Sequence, residues 1–251
     1  MAATDVYTPG HSQNATDFMA KRSLDSHGAF FAPHLAGGLS VLDCGCGPGS
    51  ITLGIAAMCA PGKVVGIDFG ASQIEHARAA ARECGLGNVE FRTADCYALP
   101  FAEASFDRVF SHALMEHLSE PEKAMAEMRR VLKPGGIAGV CSPDWGGFVL
   151  APPSIGLAAA VDAYMALQSK NGGDVRVGRK LGALLDAAGF ETVTMAARYE
   201  CYSSLTVIGE YLALQLERAG DAASAGTFRA WSRETGGMFA QCWVSAVGRK
   251  R

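Results

Sequence analysis

Residues 41–49, Val-Leu-Asp-Cys-Gly-Cys-Gly-Pro-Gly, combine an acidic side chain with three closely spaced glycines. Val41 and Leu42 belong to an apolar segment, Asp43 ends it, and an apolar helical pattern begins at Ser50. A strand, a glycine-rich turn and a helix in this order form a nucleotide-binding unit, in which the ligand lies against the N-terminus of the helix. The segment therefore predicts a site for a nucleotide-like cofactor.

The spacing of the glycines distinguishes between cofactors. The dinucleotide fingerprint needs glycines at its first, third and sixth positions. Counted from Gly45, the sixth position is Ser50. The carboxylate of Asp43 would also repel a pyrophosphate, whereas it suits a cationic ligand. S-adenosylmethionine carries an ammonium and a sulfonium, so the segment favours S-adenosylmethionine over NAD.

Two further acids follow the next two predicted strands. Asp68 ends the strand 63–68 and lies 21 residues after Gly47. An acid at this spacing accepts hydrogen bonds from ribose hydroxyls in nucleoside-binding units, although it could also cap the helix that follows. Asp95 comes after the strand 89–93. It could accept from the exocyclic amine of an adenine or serve as a turn residue.

Strands and helices alternate up to residue 142, which predicts a parallel sheet in an α/β fold. The second half is less regular, and its predicted elements are a loop at 144–153, helices at 155–168, 178–188, 205–219 and 222–235, and strands at 191–202 and 238–248. No linker or repeat divides the chain. We therefore expect a single domain of residues 1–251, whose parts are a helical leader at 1–39, a cofactor-binding core at 40–143, and helical acceptor-side segments at 144–170 and 203–236.

Composition excludes several classes of partner. The chain has 251 residues, of which 49% are hydrophobic, and a formal net charge of −3, so neither a small core nor a nucleic-acid partner is expected. Residues 1–30 are polar and no apolar run approaches the ~20 residues of a membrane span, which predicts a cytoplasmic protein without a membrane partner. Eight cysteines without a Cys-x-x-Cys pair indicate reduced thiols and no metal site.

In order and spacing, the motifs over about residues 40–145 resemble those of class I S-adenosylmethionine-dependent methyltransferases. The chain is most similar to small-molecule enzymes of the ubiquinone and menaquinone biosynthesis type and to their natural-product relatives. The motifs are Val41–Gly49, Gly66-Ile67-Asp68, Ala94-Asp95 with Leu99-Pro100-Phe101, Ser105-Phe106-Asp107, Glu116-His117-Leu118 and Leu132-Lys133-Pro134-Gly135-Gly136. The leader segment Tyr7-x-x-Gly10-His11 with Arg22, and the segment Asp144-Trp145-Gly146-Gly147, resemble one bacterial and fungal branch of this group.

The resemblance implies a Rossmann-like sheet of seven mostly parallel strands flanked by helices, with the last strand antiparallel between the fifth and sixth and with helical lid elements. It also implies that Asp43–Gly49 holds the methionine moiety, Asp68 the ribose, and Asp95 with the Cys96 backbone the adenine. Tyr7, Arg22 or His27 would close over the cofactor from the leader. The predicted cofactor contacts are Tyr7, Arg22, Asp43, Gly45, Cys46, Gly47, Asp68, Phe69, Gln73, Asp95, Cys96, Ser111 and His112.

The implied reaction is an in-line displacement that moves a methyl group from the sulfonium to an oxygen, nitrogen or carbon acceptor. Positioning supplies much of the catalysis in such reactions, and some acceptors also need a base. Candidate bases are His112, His117 and Asp144, which lie at or just beyond predicted strand ends. For His117 the structural role is favoured, and for Asp144 the roles of base and loop-capping residue are equally supported.

Aromatic side chains in the two acceptor-side segments predict a largely apolar pocket under a helical lid, suited to a hydrophobic or aromatic small molecule. The predicted acceptor contacts are Trp145, Phe148, Tyr164, Tyr211 and Trp231. The alternative for this apolar surface is the interface of a homodimer. Two other functions stay open, a non-catalytic S-adenosylmethionine-binding protein and an NAD(P)-dependent reductase. The reductase is disfavoured because the sixth glycine and a Tyr-x-x-x-Lys pair are missing.

Overall fold

The computed structural model describes residues 6–10, 12–202 and 204–251. His11 of the leader motif and residues 1–5 therefore lie outside the described residues. Over the described ranges, seven strands form one sheet. They are β1 (Val41–Cys44), β2 (Val64–Asp68), β3 (Val89–Thr93), β4 (Phe106–His112), β5 (Leu132–Ala151), β6 (Phe190–Cys201) and β7 (Met238–Lys250).

The helices pack on both faces of this sheet and beyond its end. They are α1 (Gln13–Ala20), α2 (Leu24–His27), α3 (Ser50–Cys59), α4 (Ala71–Glu83), α5 (Pro121–Val131), α6 (Ile155–Lys170), α7 (Leu181–Ala187), α8 (Leu205–Arg218) and α9 (Ala222–Trp231). Single 3₁₀ turns occur at Ala32–His34, Met115–His117 and Val177–Lys180. Within the described part of the chain, no helix is both long and apolar enough to cross a bilayer.

The strand order is β3-β2-β1-β4-β5-β7-β6. Strands β1 to β5 pair in parallel, as the alternation of strands and helices predicts. Strand β7 lies between β5 and β6 and is antiparallel to both, with Val140 opposite Ala246 and Ala246 opposite Met195. The predicted fold class and the position of its last strand are therefore confirmed.

Neighbouring residues of β4 show how the sheet carries a core on each face. Val109 packs with Leu42, Met128 and Val140 on one side, whereas Phe110 packs with residues such as Phe31 on the other. Side chains of a strand alternate between faces, so an uninterrupted apolar strand supplies both layers. The two cores fix the strand ends, at which the polar residues of the predicted site lie.

Strand β5 is longer than predicted. The sequence predicts a loop at 144–153, because this segment contains two prolines and two glycines, but β5 continues to Ala151 opposite β7. The register shifts between Asp144 and Val149, which accommodates the glycines as an irregularity. The pairing of β4 with β5 ends at Cys141. Pro143 of β5 therefore has only β7 as a neighbouring strand, and its missing N–H costs no hydrogen bond there.

Helices α6, α8 and α9 form a layer beyond this extension of β5. We call their shared core the lid cluster, and its buried side chains are Trp145, Leu157, Ala160, Val161, Tyr164, Val175, Ile208, Leu212, Ala213, Leu216, Ala225, Phe228, Trp231 and Phe239. Arg229 of α9 pairs with Glu210 and Glu217 of α8 at 2.7 and 2.8 Å. The apolar surface of residues 205–231 is thus largely covered within one chain, and it gives no reason of its own to expect a dimer.

Candidate functional site

A cavity of about 540 Å³ opens at the carboxyl ends of β1, β2 and β4. Gly45 and Gly47 line this cavity, and both of them and Gly49 adopt left-handed conformations, with φ of 79°, 52° and 84°. A Cβ on Gly49 would lie 2.9 Å from Phe91, whereas the nearest atom to a Cβ on Gly47 is 3.8 Å away. The turn therefore needs glycine for its backbone shape, and at Gly47 the backbone is open to a ligand.

Three carboxyl groups line this first cavity. Asp43 is buried and accepts a hydrogen bond from Thr52 Oγ1 at 2.6 Å, and burial raises its pKa to about 7. Asp68 accepts from the N–H groups of Gly47 and Gly70 at 2.9 and 2.8 Å. Asp68 thus holds the glycine turn and the start of α4 in place while it faces the cavity, so its two predicted roles are compatible.

Most of the predicted cofactor contacts come together here. Of the thirteen residues, all except Ser111 line the first cavity. Ser111 is buried, and its Oγ has no hydrogen-bond partner among the described residues. Its neighbour His112 faces the cavity, and side chains alternate along β4. Contacts that the sequence analysis missed include Met19 from α1 and Leu114 and Leu118 from the loop after β4.

The polar groups of the first cavity suit S-adenosylmethionine. Gln73 donates to Thr16 Oγ1 at 2.9 Å, while its buried Oε1 has no partner among the described residues. Both ring nitrogens of His112 are likewise without a partner in that part of the chain. Asp43, Asp68 and Asp95 supply acceptors for a cationic ligand that carries hydroxyls and an amine. Three acids would instead repel the pyrophosphate of NAD.

A second, smaller cavity of about 50 Å³ adjoins the first. Four residues line both cavities and form their common wall, namely Tyr7, Arg22, Ala113 and His117. Of the predicted acceptor contacts, Trp145, Tyr164 and Tyr211 line the second cavity. Phe148 and Trp231 line neither one. Trp231 is buried in the lid cluster, where its indole N–H donates to the Ala151 carbonyl at 3.2 Å.

Two of the predicted bases are buried histidines at the first cavity. His112 stacks on Trp243 at a centroid distance of 4.7 Å, and burial lowers its pKa well below the usual value. His117 meets the ring of Tyr7 edge-on at 4.7 Å, and burial lowers its pKa to about 3. Both rings are therefore neutral near pH 7 and are weak proton acceptors. Their geometry fits packing and orientation of ligands better than proton removal.

The structure does not bring Asp144, the third predicted base, to either cavity. Its carboxylate forms a two-point ion pair with Arg179, at 2.6 Å to Nε and 2.7 Å to the terminal nitrogen. Burial opposes ionisation, but hydrogen bonds from Arg179 and from the Gly146 N–H lower the pKa of this carboxyl overall. The longer strand β5 is the physical reason, because it places residue 144 opposite Cys242 rather than on a loop above the site.

His27 and Glu116 differ from the sequence analysis in their relation to the cavities. His27, predicted to close over the cofactor, lines neither cavity and instead lies 3.2 Å from Glu200. Glu116 was recognised only as a motif residue, yet its side chain lines the second cavity. It accepts from Ser142 Oγ at 2.9 Å, and burial raises its pKa to about 7. The available signal was a motif acid four residues after the end of β4.

Comparison with known proteins agrees with this geometry. A family described as "Methyltransferase domain" matches residues 41–136. The chain is 36% identical over 143 residues to the "Probable methyltransferase ltbC" of Aspergillus luteorubrus, covering 53% of this chain and 50% of that protein. It is 40% identical over 101 residues to the "Ubiquinone/menaquinone biosynthesis C-methyltransferase UbiE" of Hahella chejuensis, covering 39% of this chain and 41% of that one.

Among solved structures, the chain is similar to the "[4+2]-Cyclase SpnF", with 28% identity and a TM-score of 0.59 over 94% of this chain and 79% of that one. It spans about half the length of the first curated relatives that it matches. The matched segment 41–136 contains the glycine turn, Asp68, Asp95 and the loop after β4. The match, the strand order and the cavity identify residues 41–136 as a methyltransferase domain of the class I S-adenosylmethionine-dependent type.

Proposed function

We propose that the protein transfers a methyl group from S-adenosylmethionine to a small, largely apolar molecule that binds in the second cavity. One observation carries this proposal: the two cavities share a wall made by Tyr7, Arg22, Ala113 and His117. A donor in the first cavity and an acceptor in the second would face each other across that wall. Aromatic side chains dominate the second cavity, which favours a hydrophobic or aromatic acceptor.

When bound, S-adenosylmethionine supplies an electrophilic methyl group on a cationic sulfur. The residues of the chain would bind the donor and orient the two reactants. The glycine turn would hold the methionine moiety of the donor, Asp68 the ribose and Asp95 the adenine, while Asp43 would offer negative charge when ionised. The stacked rings of His112 and Trp243 lie between the first cavity and the second. The lid cluster would exclude water from the reactants, and their orientation could then lower the barrier.

The second cavity must widen before an aromatic acceptor can enter. It measures about 50 Å³, whereas a cavity that takes benzene is roughly 150 Å³. Phe18 of α1 stacks on Tyr211 at 4.1 Å and on Tyr202 at 5.8 Å, and all three rings line the cavity. Separation of Phe18 from these two rings would open the site to an acceptor, so the leader would act as its cover.

Cofactor choice and methyl transfer are tested in two steps. Calorimetry should show binding of S-adenosylhomocysteine and no binding of NAD. Transfer of a labelled methyl group from S-adenosylmethionine is then measured against a panel of aromatic and aliphatic acceptors. Tyr211→Ala should lower transfer at unchanged cofactor affinity, whereas Tyr199→Ala, at a tyrosine that is 56% exposed on β6, is the matched control. Tight NAD binding without a response to S-adenosylhomocysteine would contradict the proposal.

The similarity to a protein titled a cyclase supports a second candidate function. On this alternative, the second cavity would fold a hydrophobic substrate for an intramolecular ring closure, and the bound cofactor would not be consumed. The two functions differ in stoichiometry. Methyl transfer releases one S-adenosylhomocysteine for each product formed, while ring closure releases none and leaves the mass of the substrate unchanged.

A further inference from the structure

One acid of the second cavity has no role in the fold that requires an acid. Glu116 is 3% exposed, and Ser142 Oγ donates to its Oε2 at 2.9 Å. Its Oε1 lies 3.7 Å from His117 Nε2. Among the described residues, no lysine or arginine comes within ion-pair distance of this carboxyl. A glutamine could accept the same hydrogen bond from Ser142 without the cost of burying an ionisable group.

The backbone around Glu116 is held firmly. Its carbonyl oxygen accepts from Gln168 Nε2 and from the Asp174 N–H, both at 3.0 Å. A Cβ on Gly173 would collide with the same oxygen, so only glycine allows this close approach. The carboxyl group is therefore presented to the cavity from a fixed turn. Because burial raises its pKa to about 7, it can take up and release a proton near neutral pH.

Arg22 supplies the opposite charge at the common wall. Its guanidinium lies 5.3 Å from the centroid of Trp243 and 6.0 Å from that of Phe18. No carboxylate of the described residues lies within ion-pair distance of it, and it lines both cavities. A cation between two aromatic rings beside a cavity favours a ligand atom that is or becomes negative.

The two charges discriminate between classes of acceptor. An amine becomes an ammonium when it takes a methyl group, and Arg22 would oppose that new positive charge. An acidic hydroxyl is a good nucleophile only after it loses its proton, and the resulting oxyanion is attracted to Arg22. A base and a cation that line the same cavity match the second class.

We propose that Glu116 accepts the proton of a phenol or enol acceptor, whose oxygen faces Arg22 and takes the methyl group. This inference rests on the function proposed above. The hydroxyl O–H bond breaks and its proton goes to a Glu116 carboxylate oxygen. The oxygen then forms a bond to the methyl carbon, the carbon–sulfur bond breaks, and its electron pair stays on sulfur, which becomes the neutral thioether of S-adenosylhomocysteine. Glu116 later returns its proton to water.

Proton uptake tests the step without turnover. The protein is loaded with S-adenosylhomocysteine and titrated with 4-nitrophenol at pH 8, where Glu116 is ionised, in buffers of different ionisation enthalpy. Wild type should take up close to one proton per bound phenolate. Glu116→Gln should bind the phenolate with no uptake, and Glu122→Gln, an exposed glutamate of α5, should behave as wild type. Equal uptake by wild type and Glu116→Gln, or no saturable binding of the probe, would overturn the proposal.

Turnover supplies the second readout. With phenol acceptors, Glu116→Gln should lower kcat by about 10²–10⁴-fold with little change in KM, as expected for loss of a general base. The rate of wild type should rise with pH up to about 7, and this limb should be absent from the variant. The titratable and charged groups around Glu116 are Tyr7, Arg22, His117, Cys141, Tyr164 and Tyr211, and all six are retained when Glu116 alone is changed.

The acceptor panel separates failure of this inference from failure of the proposed function. Matched aromatic phenols, anilines and methyl ethers are compared in both assays, and only the phenols should be methylated. Methyl transfer to anilines at equal rates would reject Glu116 as the proton acceptor of a hydroxyl yet leave the methyltransferase function standing. Absence of binding of both S-adenosylmethionine and S-adenosylhomocysteine would reject the proposed function itself. An unchanged affinity of Glu116→Gln for S-adenosylhomocysteine shows that the variant is folded.

Discussion

The two cavities adjoin each other but are built in different ways. Most residues of the first follow the ends of β1, β2, β3 and β4 within one continuous part of the chain, between Asp43 and Leu118. The second collects residues from Tyr7 to Trp243, contributed by the leader, the loop after β4, the extension of β5, α6, α8 and β7. A cavity of the first kind is encoded by local motifs, whereas one of the second kind depends on how distant segments pack.

Because of this difference, we expect substitutions in the two cavities to have different effects. The first cavity depends on backbone shape and on three acids, so that single polar substitutions there should change cofactor affinity. The second depends on the lid cluster, so that substitutions in its core should change stability before they change chemistry. Four predictions test this comparison.

The largest effect is expected at the centre of the lid cluster. Phe228 is fully buried in α9, and Phe228→Ala should lower the free energy of unfolding by about 3–5 kcal/mol. Phe69→Ala removes a ring of the same size that is 60% exposed at the first cavity, and it should weaken cofactor binding while leaving stability almost unchanged. Chemical denaturation measures the first quantity and calorimetry the second. Similar stability losses in both variants would contradict the comparison.

The next effect concerns Asp43 and pH. Its pKa is raised to about 7 in the folded protein, above the unfolded value, so the folded state keeps a proton that the unfolded chain has lost. The stability from this group is complete below pH ~4 and is lost as the pH rises to ~7, by up to about 4 kcal/mol. Asp43→Asn should therefore stabilise the ligand-free protein at pH 8 and weaken cofactor binding. The difference in unfolding free energy between variant and wild type, measured from pH 4 to 8, isolates this group from the others that titrate.

A smaller effect is expected for Asp68, the acid predicted to hold the ribose. Asp68→Ala removes charge-assisted hydrogen bonds to the ligand and to the Gly47 N–H, and it should weaken binding of S-adenosylhomocysteine by ~1.5–3 kcal/mol. Asp68→Asn keeps one acceptor oxygen and should lose less. Calorimetry compares the two dissociation constants with that of wild type. An unchanged affinity in Asp68→Ala would show that other groups hold the ribose.

The smallest effect on turnover is expected for Asp144. Because Arg179 holds its carboxylate away from both cavities, Asp144→Asn should change kcat/KM by less than about threefold and leave its pH profile intact. The variant should lose some thermal stability through the weakened ion pair. Steady-state rates across pH decide the question, and a large loss of kcat would restore the sequence-based prediction that Asp144 acts as the base.

Much of the cofactor site could be predicted from sequence for a physical reason. Parallel strands place their carboxyl ends along one edge of the sheet, so Asp43, Asp68 and Asp95 come together once the strands are recognised. Ser111 marks the limit of this reasoning. It directly precedes a residue that lines the cavity, but alternation along a strand turns its side chain to the other face.

The acceptor side could be predicted only in part. The helices between β6 and β7 and their apolar character follow from periodicity, and three of the five predicted aromatic contacts do line the second cavity. Phe148 and Trp231 could not be separated from those three by residue type. All five are apolar or amphipathic, and only the packing of α6, α8 and α9 decides which rings fill the core and which face a cavity.

By itself the sequence predicted the parallel strands, the glycine turn and the acids at the strand ends, because local hydrophobic patterns and short motifs specify them. The position of the last strand followed from the resemblance to a known family. Only the tertiary structure decided where the side chains of Asp144 and Glu116 lie. Pairing with β7, nearly a hundred residues later in the chain, draws Asp144 into a strand against Arg179. Contacts from Gln168 and Asp174 place Glu116 in the second cavity. The local sequence marks Glu116 as a motif residue, but for neither residue does it show where the side chain lies. That depends on partners that are distant in sequence and meet only when the chain is folded.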